Sequence, residues 1–392
     1  MTNTQRDRTV DVTVSVTAEG GCKRWDLLTG QIASISCRSE NGRQIMNLSF
    51  PPVGSHLVVV DKSTSKVRGS AEEPKRNHTR TRLGDTWQAS RGNPNALSLD
   101  YCRFNINDGG WSEPTATIVA RNAIGNAGYG STYRLEYSFE SSLESKDSRE
   151  LLLAVESPER FRITVNGRPV AYAGEGYWID PAFKTMDIRE LLAVGRNVVE
   201  LHGKVGIHEI RAMQAFAETR GPEVESCYIV GDFAVRNTDN TAFALVDEPG
   251  SVRTGDLVAQ GYPFYPGTIS LTQELDAGSI GGRAWLEFSG LQATVAEVTI
   301  NGKDAGPIFL RPHEIEITRH LAQGTNVVCV KLVNTLRNLL GPLHHAKGEL
   351  KWVFPESFLP VGKWFGSGQS EWTDRYNFVP FGFDAVHLLV ES

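Results

Sequence analysis

The sequence predicts an all-β chain of several β-sandwiches, with the two later ones repeating a single jelly roll. Three observations predict this. Apolar residues recur with period two, as in Val10 to Val16 (VDVTVSV), Tyr133 to Phe139, Val295 to Ile300 and Val327 to Val333, the mark of half-buried strands. Gly (38) and Pro (18) are frequent, as many short strands joined by turns require. One arrangement of turn residues also occurs twice in the chain.

Taken in order, the first elements read as hairpins. Arg24 to Gly30 makes a turn, Asn41-Gly42 a second, and Pro51 to Ser55 precedes the apolar run Leu57 to Val60; Asn-Gly is the strongest short hairpin signal. From Asp61 to about Arg91 the chain is polar and charge-rich, which reads as a connection. Gly125 to Gly130 reads as a flexible loop ahead of a strand.

The repeat begins with a strand (Leu151 to Val155; Trp285 to Phe288) and a second strand ending in Asn-Gly (FRITVNGRPV around Asn166-Gly167; VAEVTINGKDAG around Asn301-Gly302). A single helical turn follows (Ile188 to Leu192; Ile317 to Leu321), then Gly-x-Asn-Val-Val and a core strand. Asn-Gly supplies the positive φ of a tight hairpin, and the glycine after each short turn is a helix-ending signal. Three units follow: 1–85, a β-sandwich with a trailing linker; 86–260, a jelly roll with flanking strands; and 261–392, a second jelly roll with an aromatic-rich tail.

Composition narrows the function. A chain of 392 residues holds more than one core. Its formal net charge of −6 offers no basic surface for phosphates, so nucleic acid is not an expected partner. No run approaches the roughly 18–20 apolar residues of a membrane span, and Met1 to Val10 is polar without an apolar core behind it, so neither anchor nor signal peptide is expected and the chain as written reads as cytoplasmic. Cys22, Cys37, Cys102, Cys227 and Cys329 are odd in number and widely spaced, which reads as reduced, mostly buried thiols.

The strand, Asn-Gly turn and L-x-x-G-x-N-x-V order of both copies resembles the galactose-binding-like jelly rolls of glycoside hydrolase family 2 and of family 106 α-L-rhamnosidase-like enzymes. Ala96 to Cys102 followed by Trp111, Cys227 to Phe233, Gly261 to Tyr265, Asn334 to His345, and Trp372 to Tyr376 leading to Pro380-Phe381-Gly382 are similar to the second group. The resemblance covers about residues 96–392, and residues 1–65 are more loosely similar to the sandwich that follows the catalytic barrel in such enzymes. Those enzymes carry two catalytic carboxylates on a (β/α)₈ barrel of about 250 residues, and no such alternation of strands and helices occurs here. The resemblance therefore implies a non-catalytic, carbohydrate-binding accessory portion of a glycoside hydrolase system, working beside a barrel from a partner or a missing portion. An active hydrolase using a cleft between sandwiches and a structural or partner-binding β-protein are the alternatives.

Sugar binding calls for aromatic faces against C–H surfaces and polar groups for hydroxyls. The aromatic candidates are Trp178, Trp364 and Trp372; the polar candidates are Asn334, Arg337, Asn338 and His344. Acids such as Glu156, Glu225, Asp232 and Asp374 are numerous, but no motif pairs two of them for glycoside hydrolysis, so catalytic residues stay unassigned. His344-His345, with His313 and His320, lacks metal-ligand spacing. No metal or cofactor is expected, and no run of acids supports the structural calcium some such jelly rolls hold.

Overall fold

The computed structural model describes the chain except residues 6, 28–29, 63–77, 171, 173–175, 207–223, 279–280, 347–352, 354, 359–362, 365–367, 370–371 and 392. Strands dominate, in antiparallel sheets. At the N-terminus two three-stranded sheets enclose a small core of Cys22, Met46, Leu48 and Phe50. The Asn41-Gly42 turn joins Arg38–Glu40 to Arg43–Phe50, both turn residues having positive φ. Among the described residues no helix is long and apolar enough to cross a membrane.

Two larger β-sandwiches follow. In sandwich one, Thr132–Ser141, Gly195–Lys204, Arg162–Val165 and Arg168–Val170 lie side by side in one sheet. The facing sheet runs Tyr177–Trp178, Asp180–Asp187, Leu151–Glu156, Cys227–Gly231, Asn95–Leu99. In sandwich two the same order recurs: Thr268–Asp276, Thr325–Val333, Val295–Ile300, Lys303–Ile308, faced by Glu314–Glu316, Ala284–Ser289, Ala385–Glu391, His78–Arg82. The sequence repeat is thus a repeat of topology. Each sandwich closes on its own apolar cluster, the first around Leu135, Leu153, Val199 and Ile229, the second around Ile269, Leu286, Val298 and Val330.

One hydrogen-bond network explains why the same residues stand at both sets of turns. Asn166 and Asn301 adopt positive φ at the head of each hairpin. Asn166 donates through Nδ2 to Asn197 Oδ1 (2.8 Å) and to the Leu191 carbonyl (2.9 Å), and its Oδ1 accepts from the Val198 amide (2.9 Å). Asn197 donates to the carbonyls of Ala193 and Gly195 and accepts from the Ala193 amide. In sandwich two, Asn301 donates to Asn326 Oδ1 (2.8 Å) and the His320 carbonyl (3.2 Å) and accepts from the Val327 amide (2.9 Å). Asn326 donates to Ala322 and Gly324 and accepts from Ala322. Asn197 and Asn326 are fully buried, so every polar atom needs a partner. The Gly-x-Asn motif is a polar pin across the sandwich end, beyond the turn chemistry that its sequence suggests.

The pairing divides the chain differently from 1–85, 86–260 and 261–392. Thr86–Arg91 pairs with Thr268–Asp276 and Ser251–Arg253, and His78–Arg82 pairs with Ala385–Glu391, so both strands belong to sandwich two. His78–Arg82 is an edge strand with mostly exposed side chains, and in Thr86–Arg91 only Trp87 is fully buried, packed edge-to-face on Phe383 (5.5 Å). Strands so poor in apolar residues read as a linker. At the other end, the chain leaves sandwich two after Val333, crosses to sandwich one, where Leu339, Leu343 and Tyr376 join the first core, and returns with Phe381 and Phe383 in the second. We call the described residues between 334 and 380 the strap.

The single turns appear as 3₁₀ segments at Arg189–Leu191 and Thr318–His320. Gly125 to Gly130 is not a free loop. An α-helix spans Thr117–Ala127, burying Thr117, Ala120 and Ile124 and ending at Gly128 with φ 85°. The apolar spacing of three and four residues was the helical signal, masked by Gly125 within the last turn.

Candidate functional site

The sheet of sandwich one that carries Leu151–Glu156 alternates strictly. Alternation puts Leu97, Leu153, Val155 and Ile229 on one face and Ser98, Ala154, Glu156 and Tyr228 on the other, and of the second set Ser98, Glu156 and Tyr228 line a cavity. Pairing puts Ser98 opposite Tyr228, Tyr228 opposite Ala154, and Glu156 opposite Phe183. On an ordinary outer face these side chains would be wet. Here the strap and the start of helix Thr117–Ala127 stand over them and enclose a cavity of about 460 Å³, within the range of small-molecule sites.

Ser98, Tyr228, Glu156 and Phe183 come to the cavity from the sheet, and Thr117 and Arg121 from the helix. Glu225 precedes the strand Cys227–Gly231. Leu339, Pro342, Leu343, His344, Phe358 and Trp372 come from the strap. One wall is therefore apolar and aromatic, and the opposite one is made of hydroxyls, carboxylates and a guanidinium.

A clamp on Asp100 holds the strap in place. His344 Nε2 lies 3.0 Å from Asp100 Oδ2, and Tyr376 donates its hydroxyl to Asp100 Oδ1. His344 Nδ1 lies 3.0 Å from the Thr373 carbonyl. Each ring nitrogen thus faces an oxygen of the site. The ring stacks on Trp372 (4.6 Å between centroids) and meets Tyr101 and Tyr376 edge-on. Asp374 accepts from Tyr101 Oη (2.9 Å) and Trp372 Nε1 (3.2 Å), fixing the indole. Burial, with Asp100 close by, pushes the Tyr376 phenol well up, so it stays a donor.

Two hydroxyls on the floor differ from the rest. Ser98 is 5% and Tyr228 7% exposed, both line the cavity, and among the described residues neither hydroxyl has a hydrogen-bond partner. Both hydroxyls therefore open onto the cavity and can bond to what enters it. Burial first, then the charges of Glu225, Asp100, Cys227 and Glu156, raise the Tyr228 phenol above its ordinary value. Arg121 pairs with Glu225 at 3.2 Å.

Of the residues singled out in the sequence, His344 and Trp372 line the cavity. Asn334 donates to the Tyr265 carbonyl (2.7 Å) and accepts from the Thr335 amide. Asn338 exchanges two bonds with the Val379 backbone (2.8 and 2.9 Å), and Arg337 Nη2 donates to the Asn377 carbonyl (3.4 Å). These three hold the strap's shape and do not line the cavity. Trp178 lies in the same sheet but packs against the sandwich-one core, its indole nitrogen buried without a partner among the described residues. The backbone of Trp364 forms a short hairpin with Gly368, and its side chain lies outside the described residues. Asp100, Thr117, Arg121 and Phe183 carried no sequence signal for the site, because strap and sheet meet only in the folded chain. Ser98 and Tyr228, polar among apolar strand neighbours, were the clue available. Among the described residues no three His, Cys, Asp or Glu side chains converge as a metal ion needs.

No protein-family model and no curated protein matches the chain. Among solved structures it is similar to a rhamnosidase from Novosphingobium sp. PP1Y, at 12% identity and a TM-score of 0.36, over 99% of this chain and 22% of that one. It is also similar to a Streptomyces avermitilis α-L-rhamnosidase complexed with L-rhamnose (13%, TM-score 0.27, 95% and 36% of the two chains). A third is a β-D-mannosidase from Dictyoglomus thermophilum (12%, TM-score 0.24, 64% and 32%). The chain thus spans between about a fifth and two fifths of the length of these solved chains.

Proposed function

We propose that this chain is a carbohydrate-binding, non-catalytic portion of a glycoside hydrolase system and that the cavity of sandwich one receives the sugar. The observation that carries the binding reading is the cross-strand pair Ser98 and Tyr228, whose hydroxyls line the cavity without partners among the described residues. A sugar hydroxyl both donates and accepts, so it satisfies such a pair, while the wall bearing Phe358, Trp372 and Leu343 suits the C–H faces of a pyranose. The glycoside hydrolase affiliation comes from the resemblance of the repeated Asn-Gly and Gly-x-Asn motifs; a catalytic barrel would be supplied by another subunit or another part of the system.

The hydrolytic alternative draws on one observation, three carboxylates (Asp100, Glu156, Glu225) at a single cavity. Against it, both Asp100 oxygens accept from His344 and Tyr376, and Glu225 is tied to Arg121. Neither is arranged as a general acid awaiting a leaving group. Calorimetric titration of the purified chain with monosaccharides tests the reading. Saturable binding that Tyr228→Phe and Ser98→Ala weaken without lowering the melting temperature supports it. The absence of binding to any sugar rejects it, and turnover of an aryl glycoside that Glu156→Gln abolishes would install the hydrolytic reading instead.

A further inference from the structure

The other sheet of sandwich one carries a row of bases on its outer face. Leu135, Leu201 and Ile163 lie in register on three neighbouring strands and are buried in the core, so Arg134, His202 and Arg162, each one residue along, turn outward. Pairing sets Arg134 opposite His202 and His202 opposite Arg162, a span of about 10 Å across the strands. Lys204 follows on the same face, opposite Thr132. Arg134, His202 and Lys204 line a surface groove of about 400 Å³.

Arg134 Nη2 donates to Asp108 (3.1 Å) and its guanidinium lies over the Trp111 ring at 5.1 Å, which fixes its place in the row. Arg162 Nη2 donates to His202 Nδ1 at 3.1 Å. Among the described residues neither Arg162 nor Lys204 meets a carboxylate. The acids of the next row have partners of their own: Glu136 takes Arg196 at 3.2 Å, and Glu200 accepts from Thr164 Oγ1 at 3.2 Å. Burial, then Arg162, and less strongly Arg134 lower the His202 pKa below its usual 6.5, although Glu200 raises it.

The repeat supplies a control. Arg162 and Glu297 each stand four residues before the hairpin asparagine, and His202 and Lys331 each stand five after the pin asparagine. Ser270 pairs with Lys331 as Arg134 pairs with His202. The matching row of sandwich two is therefore Ser270, Lys331 and Glu297, closed by an ion pair at 3.0 Å. One copy neutralises its row internally, and the other has a base at every position, in a chain whose formal net charge is −6. Guanidinium forks match the oxygens of carboxylates and similar anions. A line of them across an open sheet face suits a polyanion whose charges recur along an extended chain better than it suits one small ion.

We propose that this face binds an acidic polysaccharide, bearing carboxylate or sulfate groups, laid along Arg134, His202 and Arg162. That the ligand is a glycan rests on the sugar-binding reading; its negative charge rests on the row alone. Calorimetric titration of the full chain at low ionic strength compares oligogalacturonate and dextran sulfate with methyl-esterified oligogalacturonate and dextran. At least one acidic glycan is expected to bind roughly tenfold tighter than its neutral counterpart, an advantage that shrinks as salt rises. Arg162→Gln and Arg134→Gln should each weaken that binding several-fold, while Lys331→Gln in the matching row should leave it within about twofold. The wild-type preference and its salt dependence need no variant, so a poorly folding one does not shelter the proposal. Neutral glycans that bind as well as acidic ones overturn the charge inference, and acidic binding indifferent to both arginine variants overturns its location. Single-stranded DNA that binds as tightly as the acidic glycans overturns the glycan assignment. A chain that binds a monosaccharide and no acidic glycan overturns this inference alone; one that binds acidic glycans and no monosaccharide keeps it and overturns the cavity reading.

Discussion

On sandwich one, the sheet built on Leu151–Glu156 presents Ser98 and Tyr228 to a cavity that strap residues also line. On sandwich two the matching sheet, built on Ala284–Ser289, leaves Arg80 and Glu287 exposed, paired at 2.8 Å with His387 beside them. The inner halves of the two sandwiches are alike down to the asparagine pins. What differs is whether the outer sheet face is wet or roofed. A face in water supports a charge ladder; a roofed face loses water and leaves a cavity whose polar groups need new partners. Sandwich two supplies the roof, since the strap leaves from its strand Thr325–Val333 and returns to its strand Ala385–Glu391. The repeat thus has a division of labour: one copy holds the cavity and anchors the strap through Asp100, and the other sends the strap out and receives it back.

That comparison can be broken, and the largest effect tests what the copies share. Asn197→Ala and Asn326→Ala each leave buried backbone groups unpaired, at an expected cost of about 2–4 kcal/mol. Denaturant unfolding should give values within about 1 kcal/mol of one another; a wide gap would mean that the two pins are not equivalent.

The next effect tests what differs. Asp100→Ala removes the anchor of His344 and Tyr376 and should cost about 1–3 kcal/mol, with hydrogen exchange accelerated at residues 337–345. Its counterpart on the wet face, Glu287→Ala, should cost less than about 1 kcal/mol. Equal costs would remove the case for the strap as a clamped roof.

Smaller again is Tyr228→Phe. The hydroxyl has no internal partner among the described residues, so folding stability should hold while sugar affinity falls about five- to tenfold. Tyr376→Phe should do the opposite at first, lowering the melting temperature because its hydroxyl is bonded to Asp100.

The smallest expected effect is the part of the pH dependence that His313 contributes in sandwich two. Burial, and then Arg311, lower the His313 pKa below its usual 6.5. The unfolded chain therefore binds that proton more readily, so stability is complete above the ordinary histidine range, declines as pH falls through it, and levels off below the lowered value. His313→Asn should flatten that part of the unfolding profile. An unchanged profile would show that His313 is not its source.

Much of the fold was legible. Period-two runs marked the strands, and Asn166-Gly167 and Asn301-Gly302 marked hairpins that the structure contains. Helix Thr117–Ala127 was missed because Gly125 reads as a breaker, and strand His78–Arg82 because an edge strand with few buried side chains carries little apolar signal. The cavity was legible only in fragments. His344 and Trp372 stood out as polar and aromatic residues in an odd tail, but Asn334, Arg337 and Asn338 stood out for the same reason and serve the strap's backbone.

The sequence by itself determined what is local and periodic: the strands, their turns, and the repetition of one sandwich, since alternation and the αL preference of Asn-Gly act over a few residues and need no distant partner. Tertiary structure alone decided which outer face became a site. Asp100 meets His344 and Tyr376 across 244 and 276 residues, and Ser98 meets Tyr228 through a pairing of strands far apart in the chain. Contacts of that range depend on where the strap lands, which follows from the packing of two whole sandwiches and leaves no periodic trace in either partner's own segment.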